Sequence, residues 1–155
     1  MNIVKRLDQY DRDNVYFCDA IKNNVMLNGN FIRILYCTHQ FTLNGIYMQF
    51  SLKDVCYEKY YQKYKCIFDA DKYQDTMTGI VDIETSIISK CMFMFPGKTP
   101  QFKIAEQLHH GFIKIFLSET PKCSTTTFLL KISGIWETDD EYGVTYKFSV
   151  IRPVT

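Results

Sequence analysis

Residues 128–151, FLLKISGIWETDDEYGVTYKFSVI, constrain the fold more tightly than any other stretch of the chain. In the first half Phe128, Leu130, Ile132 and Trp136 alternate with Lys131, Ser133 and Glu137. In the second, Tyr142, Val144, Tyr146, Phe148 and Val150 oppose Thr145, Lys147 and Ser149. Successive strand side chains project to opposite faces, so this period-2 pattern predicts a half-buried antiparallel hairpin closed by Thr138-Asp139-Asp140-Glu141. Trp136, the only tryptophan, is expected in the core on the Ile132 side, the alternative being a stacking platform at the mouth of a barrel. Gly134 leaves space beside it for a neighbouring ring.

The remaining elements follow from the same kind of pattern. The 155 residues are expected to form one domain, with charged residues 1–13 as a flexible arm. Strands are predicted over residues 15–21 and 31–37, separated by the turn signal Asn28-Gly29-Asn30. Asn44-Gly45 between apolar runs reads as a hairpin turn, or else as a bulge in one long bent strand over 41–52. Met77, Ile80, Val81, Glu84, Ile87, Ile88 and Cys91 keep helical spacing, which predicts an amphipathic helix over 72–92 with Glu84 out of character. Pro96-Gly97-Lys98-Thr99-Pro100 predicts an exposed loop, followed by a helical turn over 102–108, a strand over 111–117 and a loop over 118–126. The resulting class is a β-rich α+β fold: an antiparallel, OB-like, partly open barrel or sheet with one main amphipathic helix.

Charge and cysteine usage narrow the function classes. A net charge of +1 argues against a protein whose whole surface is basic, while leaving room for a local positive groove. The aromatic share of 15%, from eleven Tyr, twelve Phe and one Trp, fits both a strand-rich fold and a stacking surface. Cys18, Cys37, Cys56, Cys66, Cys91 and Cys123 are scattered without the paired spacing of a zinc site. With no apolar leader and no membrane-length run, they are expected to be free, buried and intracellular, and neither a cofactor nor a membrane is implied.

The segment over 53–70, KDVCYEKYYQKYKCIFDA, carries the most suggestive chemistry. Lys53, Lys59, Lys63 and Lys65 interleave with Tyr57, Tyr60, Tyr61 and Tyr64. Lysines neutralise phosphates and tyrosine rings stack on bases, so these residues, with Arg33 as a further phosphate contact, form the candidate site for single-stranded nucleic acid. The same pattern also suits a solvated face whose rings pack sideways. Gly97-Lys98-Thr99 lacks the upstream glycine and downstream helix of a phosphate-binding loop. His109, His110 and His39 have no acid or cysteine at ligand spacing, and Asp139-Asp140-Glu141 is explained as an acidic turn. No nucleophile elbow or dinucleotide fingerprint occurs, so a non-enzyme is expected. An enzymatic alternative would gather His109 or His110 with Glu106.

LLKISGIWETDDEYGVTYKF, with NFIRILYCTHQFTLNGIYMQF and TPQFKIAEQLHHGFIKIF upstream, resembles small uncharacterised proteins of nucleocytoplasmic large DNA viruses. Within it, residues 129–148 also resemble the C-terminal strands of viral OB-type single-stranded DNA-binding proteins. The resemblance implies a viral protein of the host cytoplasm or viral factory, acting on viral DNA or in the particle. The leading expectation is non-catalytic single-stranded DNA binding. The competing one is a virion structural or protein–protein interaction role, as a homo-oligomer or with other virion proteins.

Overall fold

The computed structural model describes residues 4–22, 29–116 and 125–151. Its strands are β1 (Lys5–Arg6), β2 (Val15–Lys22), β3 (Asn30–Cys37), β4 (Thr42–Leu43), β5 (Ile46–Lys53), β6 (Cys56–Tyr60) and β7 (Lys63–Ile67), then β8 (Thr99–Gln101), β9 (Phe112–Phe116), β10 (Thr125–Glu137) and β11 (Glu141–Ile151). Helix α1 (Gln74–Cys91) lies between β7 and β8, and the short α2 (Lys103–His109) between β8 and β9. The strands form an eight-stranded sheet and a separate three-stranded sheet, β6-β7-β9. Among the described residues no pairing closes either sheet into a barrel.

The predicted C-terminal hairpin is the spine of the large sheet. β10 and β11 pair antiparallel from Thr127 opposite Ile151 to Glu137 opposite Tyr142. On its other edge β10 is shared: residues 125–132 pair with β5, and residues 134–137 with β3. The register shifts between Ile132 and Gly134, and this bulge reverses the alternation. Ile135, not Trp136, therefore continues the buried row of Phe128, Leu130 and Ile132. Trp136 turns to the opposite face, half-buried, with its ring over Gly143, which corrects its expected place in the core. Gly134 does leave space for a ring, and that ring is Phe31.

Other expectations are refined in the same way. The sheet is mixed rather than wholly antiparallel, because β1 runs parallel to β5 and β8 parallel to β11. Asn44-Gly45 does not close a hairpin: β4 pairs with β3 and β5 with β10, so the chain bends there and changes partner. Nor do residues 41–52 form one long bent strand, since β4 and β5 are separate strands on either side of the bend. Residues 5–13, expected as part of a loose arm, are tied down. The Tyr10 hydroxyl meets Ser86 Oγ at 2.8 Å, and Lys90 Nζ donates to the Arg12 carbonyl at 2.7 Å. The loop around Lys98 ends in β8, and Lys98 Nζ is bound by Glu137 and the Thr138 carbonyl, both at 2.7 Å. The turn at residue 28, most of the predicted loop over 118–126 and Cys123 lie outside the described residues.

α1 buries Met77, Ile80, Ile83, Ile87, Ile88 and Cys91 on one face. Glu84 on that face is fully buried and accepts hydrogen bonds from the backbone N–H groups of Ile104 and Ala105, each at 2.9 Å. A carboxylate is thus the cap of α2, whose first N–H groups have no partner within their own helix. One contiguous apolar core joins both sheets and both helices, running from Val15, Ile34 and Leu52 through Ile113 and Ile115 to Phe148. No helix among the described residues is long and apolar enough to cross a membrane.

Candidate nucleic-acid interface

The small sheet sorts its residues by strand periodicity. β6 and β7 form a hairpin through the two-residue turn Tyr61-Gln62, and β7 then pairs antiparallel with β9. Tyr64, Cys66, Ile113 and Ile115 point into the core and are buried. Their neighbours in sequence therefore point out. The register aligns Tyr60, Lys63 and Phe116 in one row across the sheet. Glu58, Lys65 and Lys114 form the next row, and Cys56, Ile67 and Phe112 the third.

Among the described residues, no other element covers the Tyr60–Phe116 row of this outer face. Tyr60 is 63% exposed and Phe116 58%, far more than a ring in a core or an ordinary sheet contact. Four ammonium groups stand over its two phenylalanines. Lys65 Nζ lies 4.4 Å and Lys114 Nζ 5.6 Å from the Phe112 centroid. Lys63 Nζ lies 5.1 Å and Lys147 Nζ, from β11, 6.0 Å from that of Phe116. His110 stacks near-parallel on Phe112, centroids 6.2 Å apart. Glu58 is the one carboxylate in the three rows. Net charge near neutrality thus coexists with a face that is locally cationic and aromatic.

The sequence-based candidates divide on this geometry. Tyr60, Lys63 and Lys65 are brought together on the outer face, with Tyr61 at the turn that ends it. Tyr64 belongs to the core, and Tyr57, in register with the buried Cys66, hydrogen-bonds Thr126 through its hydroxyl; neither ring is placed to stack on a base, which corrects both assignments. Lys59 is in register with Tyr64 and so projects from the side of β6 opposite Tyr60, though it is exposed. Lys53 ends β5 in the large sheet, where its backbone N–H donates to the Tyr73 hydroxyl at 2.7 Å. Arg33 lies on β3, its guanidinium bound to Asn44 Oδ1 at 3.0 Å and set over the Phe31 ring. Both basic residues belong to the other sheet.

Phe112, Lys114, Phe116 and Lys147 complete the face and were missed. The alternation FIKIF already separates Phe112, Lys114 and Phe116 from Ile113 and Ile115, but only the pairing of β9 with β7 shows that the two outward rows meet. No family model matches the chain, and neither a curated protein nor a solved structure matches it. The geometry therefore has to carry the functional reading.

Other places in the molecule offer less. A cleft of about 590 Å³ lies among Arg6, Leu7, Asp8, Gln49, Asp75 and Thr76. Its one cation, Arg6, is already paired with Asp8 at 3.2 Å, and Asp75 adds a second negative charge against a polyanion. His109 and His110 are exposed, and Glu106 faces Lys103 at 3.6 Å. The described residues hold no group of three or more side chains suited to a metal ion. Of the described cysteines, all free, Cys66 and Cys91 are buried and Cys56 is exposed, which corrects the expectation that all are buried. Burial pushes the Cys66 and Cys91 thiols up to about 12.

Proposed function

We propose that this chain is a non-catalytic single-stranded nucleic-acid-binding protein that uses the outer face of the β6-β7-β9 sheet. The observation that carries the reading is one exposed sheet face holding Tyr60, Phe112 and Phe116 among Lys63, Lys65, Lys114 and Lys147. Bases stack on the rings while the lysines move from the ring faces to the phosphates. A free ring face already attracts a cation, so exchange of ammonium for base keeps both groups partnered. Each covered ring contributes about 1–3 kcal/mol and the lysines add a salt-dependent term. Sequence preference is weak, because every base has a π-face.

DNA is the polymer proposed, following the sequence-based expectation for residues 129–148. Fluorescence-anisotropy titration with a labelled single-stranded oligonucleotide, at low and at physiological salt, tests the reading. Binding that weakens with salt and prefers single strand over duplex is expected. Absence of binding at low salt would remove it and leave the exposed rings as a protein–protein surface.

A further inference from the structure

We propose that the tip of the β6–β7 hairpin is a clamp for one unpaired nucleobase, held between the Tyr60–Tyr61 pair and Phe116. The inference rests on the single-strand-binding reading and specifies what one end of that face recognises. A cleft of about 380 Å³ lies there, lined by Tyr60, Tyr61, Gln62, Lys63 and Phe116. That volume is at the small end of ligand sites, about 300–1,000 Å³, as suits one planar ring with its sugar.

Tyr61 is the unusual member. It has φ 56°, in the left-handed region, where hairpin turns favour Gly, Asn or Asp and a bulky side chain is strained. Burial in the core gives no return for that strain, since the ring is 83% exposed. It stands edge-on to Tyr60, with centroids 4.7 Å apart and planes 78° apart. The two rings make a corner, and Phe116 in the outer row with Tyr60 and Lys63 forms the opposite wall. Lys63, already over Phe116, supplies a cation for the phosphate of the bound nucleotide. Gln62 adds an amide, with donor and acceptor in one plane, for the edge of a base. A base within a duplex has both its edge and its faces occupied, so the clamp accepts an unpaired, unstacked one.

The strain at Tyr61 also supplies a clean test. Gly suits a positive φ, so Tyr61→Gly should fold at least as stably as wild type. Wild type, Tyr61→Phe and Tyr61→Gly are titrated with a single-stranded oligonucleotide carrying one 2-aminopurine, and with the same sequence as a duplex. Wild type and Tyr61→Phe should bind the single strand and quench the 2-aminopurine. Tyr61→Gly should lose the quench and about tenfold in affinity, with a melting temperature equal or higher. Wild-type affinity and quenching in Tyr61→Gly would overturn the clamp and leave the sheet-face reading standing. Equal binding of duplex and single strand by wild type, or a Tyr61→Gly chain that melts below wild type, would also overturn it. Failure of wild type to bind the single strand would overturn both readings.

Discussion

Glu84 in the middle of α1 accepts the backbone N–H of Ile104 at 2.9 Å, and with the N–H of Ala105 this holds the start of α2 against α1. α2 runs through Gly111 into β9, and the Phe68 N–H donates to the Gly111 carbonyl at 3.1 Å. The buried carboxylate therefore helps set where Phe112 and Phe116 lie relative to β7. A titratable side chain inside the molecule thus helps position rings on its surface.

Glu84 should give stability an identifiable pH dependence. Burial raises its pKa above the ordinary 4.5, against the lowering effect of the Ala105 and Ile104 hydrogen bonds. The folded chain thus holds this proton more tightly than the unfolded chain. The resulting stability is fully present below the unfolded pKa and is lost as pH rises through the higher folded one. Glu84→Gln cannot titrate. Urea denaturation over a pH series should show the wild-type advantage over Glu84→Gln shrinking from pH 4.5 upward and then levelling. A constant difference would contradict the raised pKa. Glu84→Ala, which leaves two buried N–H groups unpartnered, should cost about 3 kcal/mol at neutral pH.

Gly134 marks the point where β10 changes partners from β5 to β3. A Cβ there would meet the Ile32 carbonyl oxygen at 2.3 Å and the Phe31 ring at 2.6 Å. The first neighbour is backbone and cannot swing aside, so Gly134→Ala should destabilise by about 3 kcal/mol or more. Gly97, at φ 79° with nothing within 4 Å, is the control: Gly97→Ala meets only the backbone preference, worth about 1 kcal/mol. Thermal or urea unfolding of the two variants measures the contrast, and equal losses would contradict the close approach at Gly134.

Cysteine reactivity should report the two faces of the small sheet. Cys56 is exposed in the outer row with Ile67, while Cys66 on the adjacent strand faces inward, its thiol pushed up to about 12 by burial. Thiolate is the reacting form. Iodoacetamide at mildly alkaline pH, followed by peptide mass spectrometry, should label Cys56 rapidly in the native chain. Cys66 and Cys91 should be labelled only after denaturation. Native labelling of Cys66 at the rate of Cys56 would contradict the assigned face.

Much of the fold was legible because period-2 and period-3.6 patterns report burial directly. The β10–β11 hairpin, β3, and the buried face of α1 all follow from residue spacing. Misreadings arose where pairing, not pattern, decides. One extra residue at the Ile132–Gly134 bulge moved Trp136 to the other face. Asn44-Gly45 carries a hairpin signature, yet β10 offered β5 a longer partner than β4 could. The candidate site was legible in part for the same reason. Tyr60, Lys63 and Lys65 lie near one another in sequence and share a face, whereas Phe112, Phe116 and Lys147 reach it only through β9 and β11. Proximity in sequence also swept in Tyr57 and Tyr64, which alternation sends inward.

Lysines and rings on the outer face should fail in different ways when removed. A lysine that contacts phosphate releases counterions from a single strand, with about 0.7 in the slope of log affinity against log salt per contact. Lys63→Gln and Lys114→Gln should each flatten that slope and weaken binding most at low salt. Phe116→Ala removes a stacking platform but no charge, so it should lower affinity by about 1–3 kcal/mol with the slope unchanged. The rings and ammonium groups are in contact, Lys63 Nζ being 5.1 Å from the Phe116 centroid, so the double variant should lose less than the sum of the singles. Anisotropy titrations at several salt concentrations separate these effects. A slope insensitive to both lysine substitutions would move the phosphate path off this face, and unchanged affinity in Phe116→Ala would remove stacking from its mechanism.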